Sequence, residues 1–457
     1  MSDMVTIVLF GWIPAILVIF LVLPPRRAVL VSFLFAWMFL PSAGYDIPGF
    51  PDYTKVSATN VGALLAAAVF DPVRLFSFNP RLLDVPMLIW CLCPFASSLS
   101  NGLGVYDGFS AVAEHLIMWG APYYIGRVYF TDFRALKELA VFLVVGGLIY
   151  VPFCLWEIRM SPNLAWYIYG LPGSGIEYAG EFGKWGSRPR VFMGTGLAVG
   201  MFMTVASLVG MWLWTTRNLR RLWLFSGGSL VALLVLVTIG CKNMAALSLL
   251  VFGLLVLFSA RRARTALPVY LLLLAAPAYT LLRASGTWSG EPLVSASSRV
   301  HSRRGESLQF RLENEDILIE KALERPVFGW GRWGRARVYA EDDTDLSVTD
   351  GLWIIALGST GTVGLAAMLS AHLAPLLMFV RRYPVQLWHD RTLAPTAVLA
   401  VVAGLYSIDN LLNHMFNPLF IIAAGGILGV IAAQPRSLYG GAASCPHATE
   451  VGVCCAR

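Results

Sequence analysis

The sequence predicts an all-α fold, a polytopic membrane helical bundle of about thirteen transmembrane helices with one large outer loop that contains an amphipathic helix. Three observations predict it. Of the 457 residues 57% are hydrophobic and 13% charged, with a mean hydropathy of +0.67, whereas soluble domains carry about 25% charged residues. The apolar residues are gathered into runs close to bilayer length. Between those runs the arginines and lysines come in small clusters that fall on alternate turns, the pattern of cytoplasmic loops under the positive-inside rule.

The first run, residues 4 to 23, ends at Pro24-Pro25-Arg26-Arg27. It has neither a basic leader nor a small-residue cleavage site, so it reads as a retained helix rather than a signal peptide. Runs follow at about 28 to 41, 60 to 73, 84 to 100, 109 to 126 and 136 to 156. After a polar segment, 157 to 189, come about 191 to 214, 222 to 239, 244 to 260 and 266 to 283. Beyond a longer polar segment, 284 to 350, lie about 351 to 380, 393 to 409 and 417 to 433. Residues 1-183 thus form N-terminal membrane helices with a first outer loop, 184-433 a second membrane region that includes the loop 284-350, and 434-457 a disordered cytoplasmic tail.

The clusters Arg26/Arg27, Arg74/Arg81, Arg127/Arg134/Lys137, Arg217/Arg220/Arg221, Arg261/Arg262/Arg264, Arg381/Arg382/Arg391 and Arg436 share one face, which the charge rule makes cytoplasmic. Both long polar segments then face outward. A formal net charge of +7 spread in this way argues against a nucleic-acid partner. No Walker loop and no Rossmann glycine pattern is present, so the chain binds no nucleotide. Cys91, Cys93, Cys154 and Cys241 lie in or beside apolar runs and read as core packing. In the tail, Cys445, His447, Cys454 and Cys455 lack the paired C-x-x-C spacing of a zinc site, so no metal is expected.

The chemistry is expected in the polar segments. In 284 to 350 one helix is read from about Glu306 to Arg325, with Leu308, Leu312, Ile319 and Leu323 as its apolar face and Pro326 as its stop. Arg311 reads either as an ordinary i, i+4 partner of Glu315 on its solvated side or as a further cation for the diphosphate or glycan. The stretch Val327-Phe328-Gly329-Trp330-Gly331-Arg332-Trp333-Gly334-Arg335 alternates glycines with aromatics and arginines. Such a stretch lets a backbone approach a phosphate or sugar closely, with Arg332, Arg335, Trp330 and Trp333 around it.

Arg188 and Arg190, with Lys184, reach the start of a span and suit either a diphosphate clamp or head-group anchoring. Lys242, in a short outer turn, is a second cation of that kind or a snorkelling lysine. Asp350 opens the following span as a helix cap or as a base for a sugar hydroxyl. His414, in the last outer turn, is either a neutral-pH base or a histidine bonded into the bundle.

An arginine at a span entrance, a short turn ending in Lys242, a large outer loop with an amphipathic helix, then Arg325-Pro326-Val327-Phe328-Gly329-Trp330-Gly331 and a polar pair opening the next span resemble the O-antigen ligase and polymerase superfamily, over roughly residues 184 to 430. The resemblance implies a membrane glycosyltransferase of the GT-C kind in the bacterial inner membrane. It would polymerise or ligate polysaccharide from an undecaprenyl-diphosphate-linked donor, without cofactor or metal, among other polysaccharide-export proteins. It would place the diphosphate on Arg190, Lys242 and one of Arg332 or Arg335. Where the family has a His-Asn pair this chain has Thr349-Asp350, so Asp350 or His414 would serve as the base, and Trp330 and Trp333 would stack on sugars. A lipid-linked glycan flippase and a non-catalytic component of exopolysaccharide assembly are the competing expectations, although no internal repeat supports the flippase.

Overall fold

The computed structural model describes residues 3–47, 51–161, 164–171, 187–222, 224–300, 302–414 and 416–433. Helix accounts for 76% of it and strand for 2%, so the backbone polar groups are satisfied within segments, as a bilayer requires. The helices in order are α1 (Asp3–Val22), α2 (Pro25–Phe39), α3 (Lys55–Phe70), α4 (Pro72–Leu75), α5 (Val85–Ser100), α6 (Val105–His115), α7 (Ala121–Tyr129), α8 (Phe133–Met160) and α9 (Leu164–Tyr169). They continue with α10 (Gly196–Thr215), α11 (Gly227–Gly240), α12 (Met244–Arg262), α13 (Leu267–Ala284), α14 (Glu291–Val300), α15 (Ser302–Leu323), α16 (Leu352–Arg382), α17 (Ala394–Leu412) and α18 (Pro418–Ala433). Two short antiparallel pairs, Gly44–Tyr45 with Tyr53–Thr54 and Arg221–Leu222 with Phe225–Ser226, close turns between helices.

Each apolar run marked from the sequence contains a helix, although the run from about 191 opens with a turn before Gly196 and the run from about 222 with the pair before Gly227. Among the described residues, eight helices have the length and hydropathy to cross a membrane: α1, α5 with the turn before it, α8, α10, α12, α13, α16 and α17. The helices α3, α11 and α18 are apolar but shorter. Side-chain caps fix several starts. Thr54 and Ser57 form a capping box at α3, Asp132 accepts from Ala135 N–H at α8, and Asn243 accepts from Ala246 N–H at α12.

The helices α10 and α17 are almost wholly enclosed, while α1 lies at the rim. Small residues let the inner helices touch. A Cβ on Gly126 of α7 would lie 2.3 Å from the Ile422 carbonyl oxygen of α18, and one on Gly425 2.3 Å from that of Tyr123.

Short connections alternate the helix directions and so separate two ends. At one end, here the basic end, Arg26 meets Asp132 (2.9 Å), Arg27 meets Glu138 (2.7 Å) and Arg391 donates to the Arg217 carbonyl (3.1 Å). At the other, the loop end, Lys55 donates to the Phe192 carbonyl (3.4 Å), Asn101 to that of Gly329 (2.8 Å) and Arg311 to Asn413 (3.2 Å). Residues 285–350 fold over the loop end.

The amphipathic helix begins four residues earlier than expected, at Ser302, ends at Leu323, and is preceded by α14. Its buried side also differs from the expected leucine stripe. Leu312, Leu318, Ile319 and Ala322 are buried, but so are Asn314 and Glu315, while Leu323 is exposed. The i, i+4 pair between Arg311 and Glu315 does not form. Glu315 instead meets Arg283 of α13 at 3.2 Å, and Arg311 meets Asp350 at 3.3 Å. A stripe of hydrophobic side chains could not show this, because the docking face of α15 is partly ionic.

Candidate functional site

Glu157, at the end of α8, organises the first group of cations. Its fully buried carboxylate accepts hydrogen bonds from the backbone N–H groups of Arg190 (2.8 Å), Val191 (2.7 Å) and Leu164 (3.0 Å). Three donors on one carboxylate fix the chain where it enters α10, and Val191 is held there at φ 49°. Arg188 crosses Gly196, where a Cβ would lie 2.4 Å from its Cδ, and its guanidinium donates to the Lys242 carbonyl at 3.3 Å. Arg188, Arg190 and Lys242 are therefore neighbours at the loop end. Nearby, Lys55 Nζ donates to Ser42 Oγ (3.0 Å) and the Phe192 carbonyl. Lys184 and Trp185 lie outside the described residues.

The stretch with alternating glycines does something the sequence did not reveal. Helix α16 is broken at Gly361 (φ 67°), and Pro326 to Gly331 fills the break. Trp330 N–H donates to the Gly358 carbonyl (2.8 Å) and Gly331 N–H to that of Ser359 (3.0 Å). Thr362 N–H returns a bond to the Pro326 carbonyl (2.7 Å), while Ser97 of α5 and Asn101, which follows it, hold the carbonyls of Phe328 and Gly329. A Cβ on Gly329 would lie 2.6 Å from the Gly358 carbonyl oxygen. The close approach expected for a phosphate or sugar is thus made to a helix backbone, which satisfies groups that a broken helix exposes. Trp330 is also engaged within the chain. Its indole N–H donates to the Lys321 carbonyl (2.7 Å), with Lys321 Nζ 3.8 Å and the Arg325 guanidinium 4.5 Å from its ring centroids.

Arg332 and Arg335 converge on Asp107 at the start of α6. Arg335 binds it through two hydrogen bonds (3.1 and 3.0 Å), Arg332 lies 3.5 Å away, and Ser98 Oγ donates at 2.8 Å. The Arg335 bonds hold the Asp107 carboxyl below the usual carboxylate range. Sequence reasoning missed Asp107, since an acid in Val105-Tyr106-Asp107-Gly108 gives no sign that its partners lie more than two hundred residues away. Arg337 pairs with Asp345 at 2.7 Å. The arginines of this loop are therefore largely partnered inside the chain. The side chain of Trp333 lies outside the described residues.

Between α15, the 334–339 segment and the end of α5 runs an open groove of about 800 Å³, lined by Asn101, Lys321, Arg325, Trp330, Arg335, Arg337 and Tyr339 together with Glu320 and Glu324. Cations, amides and aromatic edges are side chains that bind carbohydrate hydroxyls and anionic groups.

Asp350 does not cap α16, whose N-cap is Gly351 without a side-chain bond. Its carboxylate is 36% exposed beside Arg311, which also donates to the Leu412 carbonyl and Asn413. His414 is half-buried with its Nε2 enclosed and without a hydrogen-bond partner among the described residues, and burial pushes its imidazole down to about 4. It is neutral at pH 7 and poorly placed to take a proton from a solvent-exposed ligand. Asp350 thus remains the accessible carboxylate of this corner.

No protein-family model matches this chain, and no curated protein does.

Among the described residues no group of His, Cys, Asp or Glu has the arrangement of a metal site. Cys91, Cys93, Cys154 and Cys241 are buried free thiols. The loop end offers a braced cluster of cations, Arg188, Arg190 and Lys242, at helix ends, a separate polar groove along α15 with Arg335, and a partly exposed carboxylate, Asp350, paired with Arg311.

Proposed function

We propose that the chain is a membrane glycosyltransferase that polymerises or ligates polysaccharide from a polyprenyl-diphosphate-linked donor. The observation that carries this reading is the bracing of Arg188, Arg190 and Lys242 at the loop end of apolar helices, the end that also bears the groove and Asp350. The basic clusters at the opposite end support, under the charge rule, a cytoplasmic side there and an outward-facing loop end. The resemblance to the O-antigen ligase and polymerase superfamily points the same way.

In this reading the cations hold the diphosphate, and the groove holds sugar. The acceptor hydroxyl oxygen bonds to the anomeric carbon while the bond from that carbon to the diphosphate oxygen breaks. The electron pair leaves with the diphosphate, whose charge the three cations stabilise, and Asp350 takes the hydroxyl proton.

A second reading, a lipid-linked glycan flippase, draws on His372 in α16, which is 3% exposed with neither ring nitrogen hydrogen-bonded among the described residues. Ionisable groups inside spans often mark transport paths. One experiment separates the two. Arg188→Gln and Asp350→Asn are expressed at equal level in the native host, and polymer and lipid-linked units are followed. A transferase loses long polymer by about tenfold or more and accumulates lipid-linked units on the outer face in both variants. Units retained on the cytoplasmic face indicate the flippase, and normal polymer from both variants overturns the transferase.

A further inference from the structure

A second cavity lies at the opposite end from the proposed chemistry. It is about 280 Å³ in volume and is lined by Phe133, Arg134, Lys137, Asn218, Arg391 and Thr392. We infer that this pocket binds the phosphate of a phosphate-bearing anion, foremost the head group of an anionic membrane lipid.

Its lining holds three cations and no carboxylate. Two of the three neighbouring acids are paired with arginines outside the pocket, and the third is bonded to the backbone of the pocket's own Thr392. Asp132 binds Arg26 (2.9 Å) and caps α8 at Ala135, Glu138 binds Arg27 (2.7 Å), and Asp390 accepts from the Thr392 N–H (2.8 Å). Among the described residues neither Arg134 nor Lys137 has an ion-pair partner. Arg391 is anchored through Nη2 to the Arg217 carbonyl, and the edge-on contact of Phe133 with Tyr383 (5.7 Å) fixes the floor.

Asn218 adds a polar atom with an unmet need. Its Nδ2 donates to Thr216 Oγ1 (3.2 Å), while Oδ1 is buried without a partner among the described residues, an acceptor suited to the hydroxyl of a glycerol head group. Three guanidinium or ammonium groups around one opening, with Asp132 and Glu138 paired to Arg26 and Arg27, favour a phosphate oxyanion over a neutral sugar.

The surroundings favour a lipid as the source. The pocket sits where α8 and α17 start and α10 ends, all three long and apolar enough to cross a membrane. Three residues beyond Asn218 begins the pair Arg221–Leu222 and Phe225–Ser226, which presents Leu224 (95% exposed) and Phe225 (61%) beside Arg220 and Arg221. Apolar side chains flanked by arginines are how a peripheral turn enters a head-group layer.

The full chain, purified in detergent, would be titrated with phosphatidylglycerol, phosphatidylcholine or inorganic phosphate and read by native mass spectrometry and thermal shift. Arg134→Gln/Lys137→Gln breaks no side-chain hydrogen bond among the described residues, and Asn218→Asp keeps shape while adding a repelling charge. Arg262→Gln/Arg264→Gln, two exposed arginines at the same end that belong neither to the pocket nor to that turn, controls for general charge. Saturable phosphatidylglycerol binding, weakened roughly tenfold or more by the first two variants and less than about twofold by the control, is expected. Inorganic phosphate that competes at millimolar concentration would support the pocket with a soluble source, and failure to compete assigns it to the lipid. Equal weakening by the control, or binding indifferent to both pocket variants, overturns it.

Discussion

Arg283 and Arg335 flank the same polar region and are used in opposite ways. Arg283 is 2% exposed. It meets Glu315 and Asp316 and donates to the carbonyls of Leu312, Trp288 and Ser289, while Tyr279 and Trp353 complete the Glu315 carboxylate. Every polar group at this junction is satisfied, and its work is to seat α15 on α13 and α16. Arg335 is 39% exposed and shares one half-open carboxylate, Asp107, with Arg332. A clasp of that kind can exchange its carboxylate for a ligand's anion at small cost. The two arginines teach that a cation in the loop is a candidate for binding only when its partner can be replaced.

The sharpest way to break this comparison is to remove each guanidinium. Arg283→Ala leaves Glu315 and Asp316 without their counter-ion and is expected to cost about 3 to 5 kcal/mol of stability, the range for one partner lost from a buried pair. The lower part of that range is favoured because burial already raises the Glu315 carboxyl above its usual range, so it can take up a proton. Arg335→Ala is expected to cost less than about 1 kcal/mol. Thermal unfolding in one detergent checks both, and equal losses would end the distinction.

The glycines divide in the same way, with a smaller effect. Gly329 sits at φ 68° against the carbonyl of Gly358, so Gly329→Ala combines left-handed strain with a backbone clash and is expected to cost about 2 to 3 kcal/mol. Gly334, five residues on, has nothing within 4 Å of its Cβ position, and Gly334→Ala should fall within about 0.5 kcal/mol of the parent. The same unfolding series measures both. A costly Gly334→Ala would mean that the groove wall is as tightly built as the plug in α16.

These two glycines also mark where the sequence was legible. Composition and apolar runs carried the helical membrane architecture, and the polar segments were found as the places rich in cations. The purpose of Gly329 was not legible, because a glycine that admits a phosphate and one that admits a helix backbone look alike until the break at Gly361 is seen. Arg332 and Arg335 could be picked out, but not their partner, since ion pairing between α6 and the loop leaves no local spacing. Lys242 and Arg188 were read as separate cations. What joins them is a bond to a main-chain carbonyl, and a side-chain pattern cannot encode it.

The finest test uses pH, because the two carboxylates respond with opposite sign. The Asp107 carboxyl is depressed by Arg335, so the clasp contributes its stability above the unfolded carboxyl value of about 3.9 and loses it as pH falls through the lower folded value. The Glu315 carboxyl is raised by burial. Its contribution is therefore fullest below the unfolded value of about 4.3 and is lost as pH rises through the higher folded value. Lowering the pH through the raised Glu315 value toward 4 should thus tighten the α15 junction while leaving the clasp intact, and only below about 4 should the clasp open. Hydrogen-exchange protection of residues 332–337 and 312–319, corrected for intrinsic rates, separates the two. Asp107→Asn should erase the acid step of the first segment, and Glu315→Gln the opposite trend of the second. If both segments loosened together on acidification, Arg283 and Arg335 would belong to one cooperative unit, and the loop end would hold its ligand on a wall that moves rather than on a fixed frame.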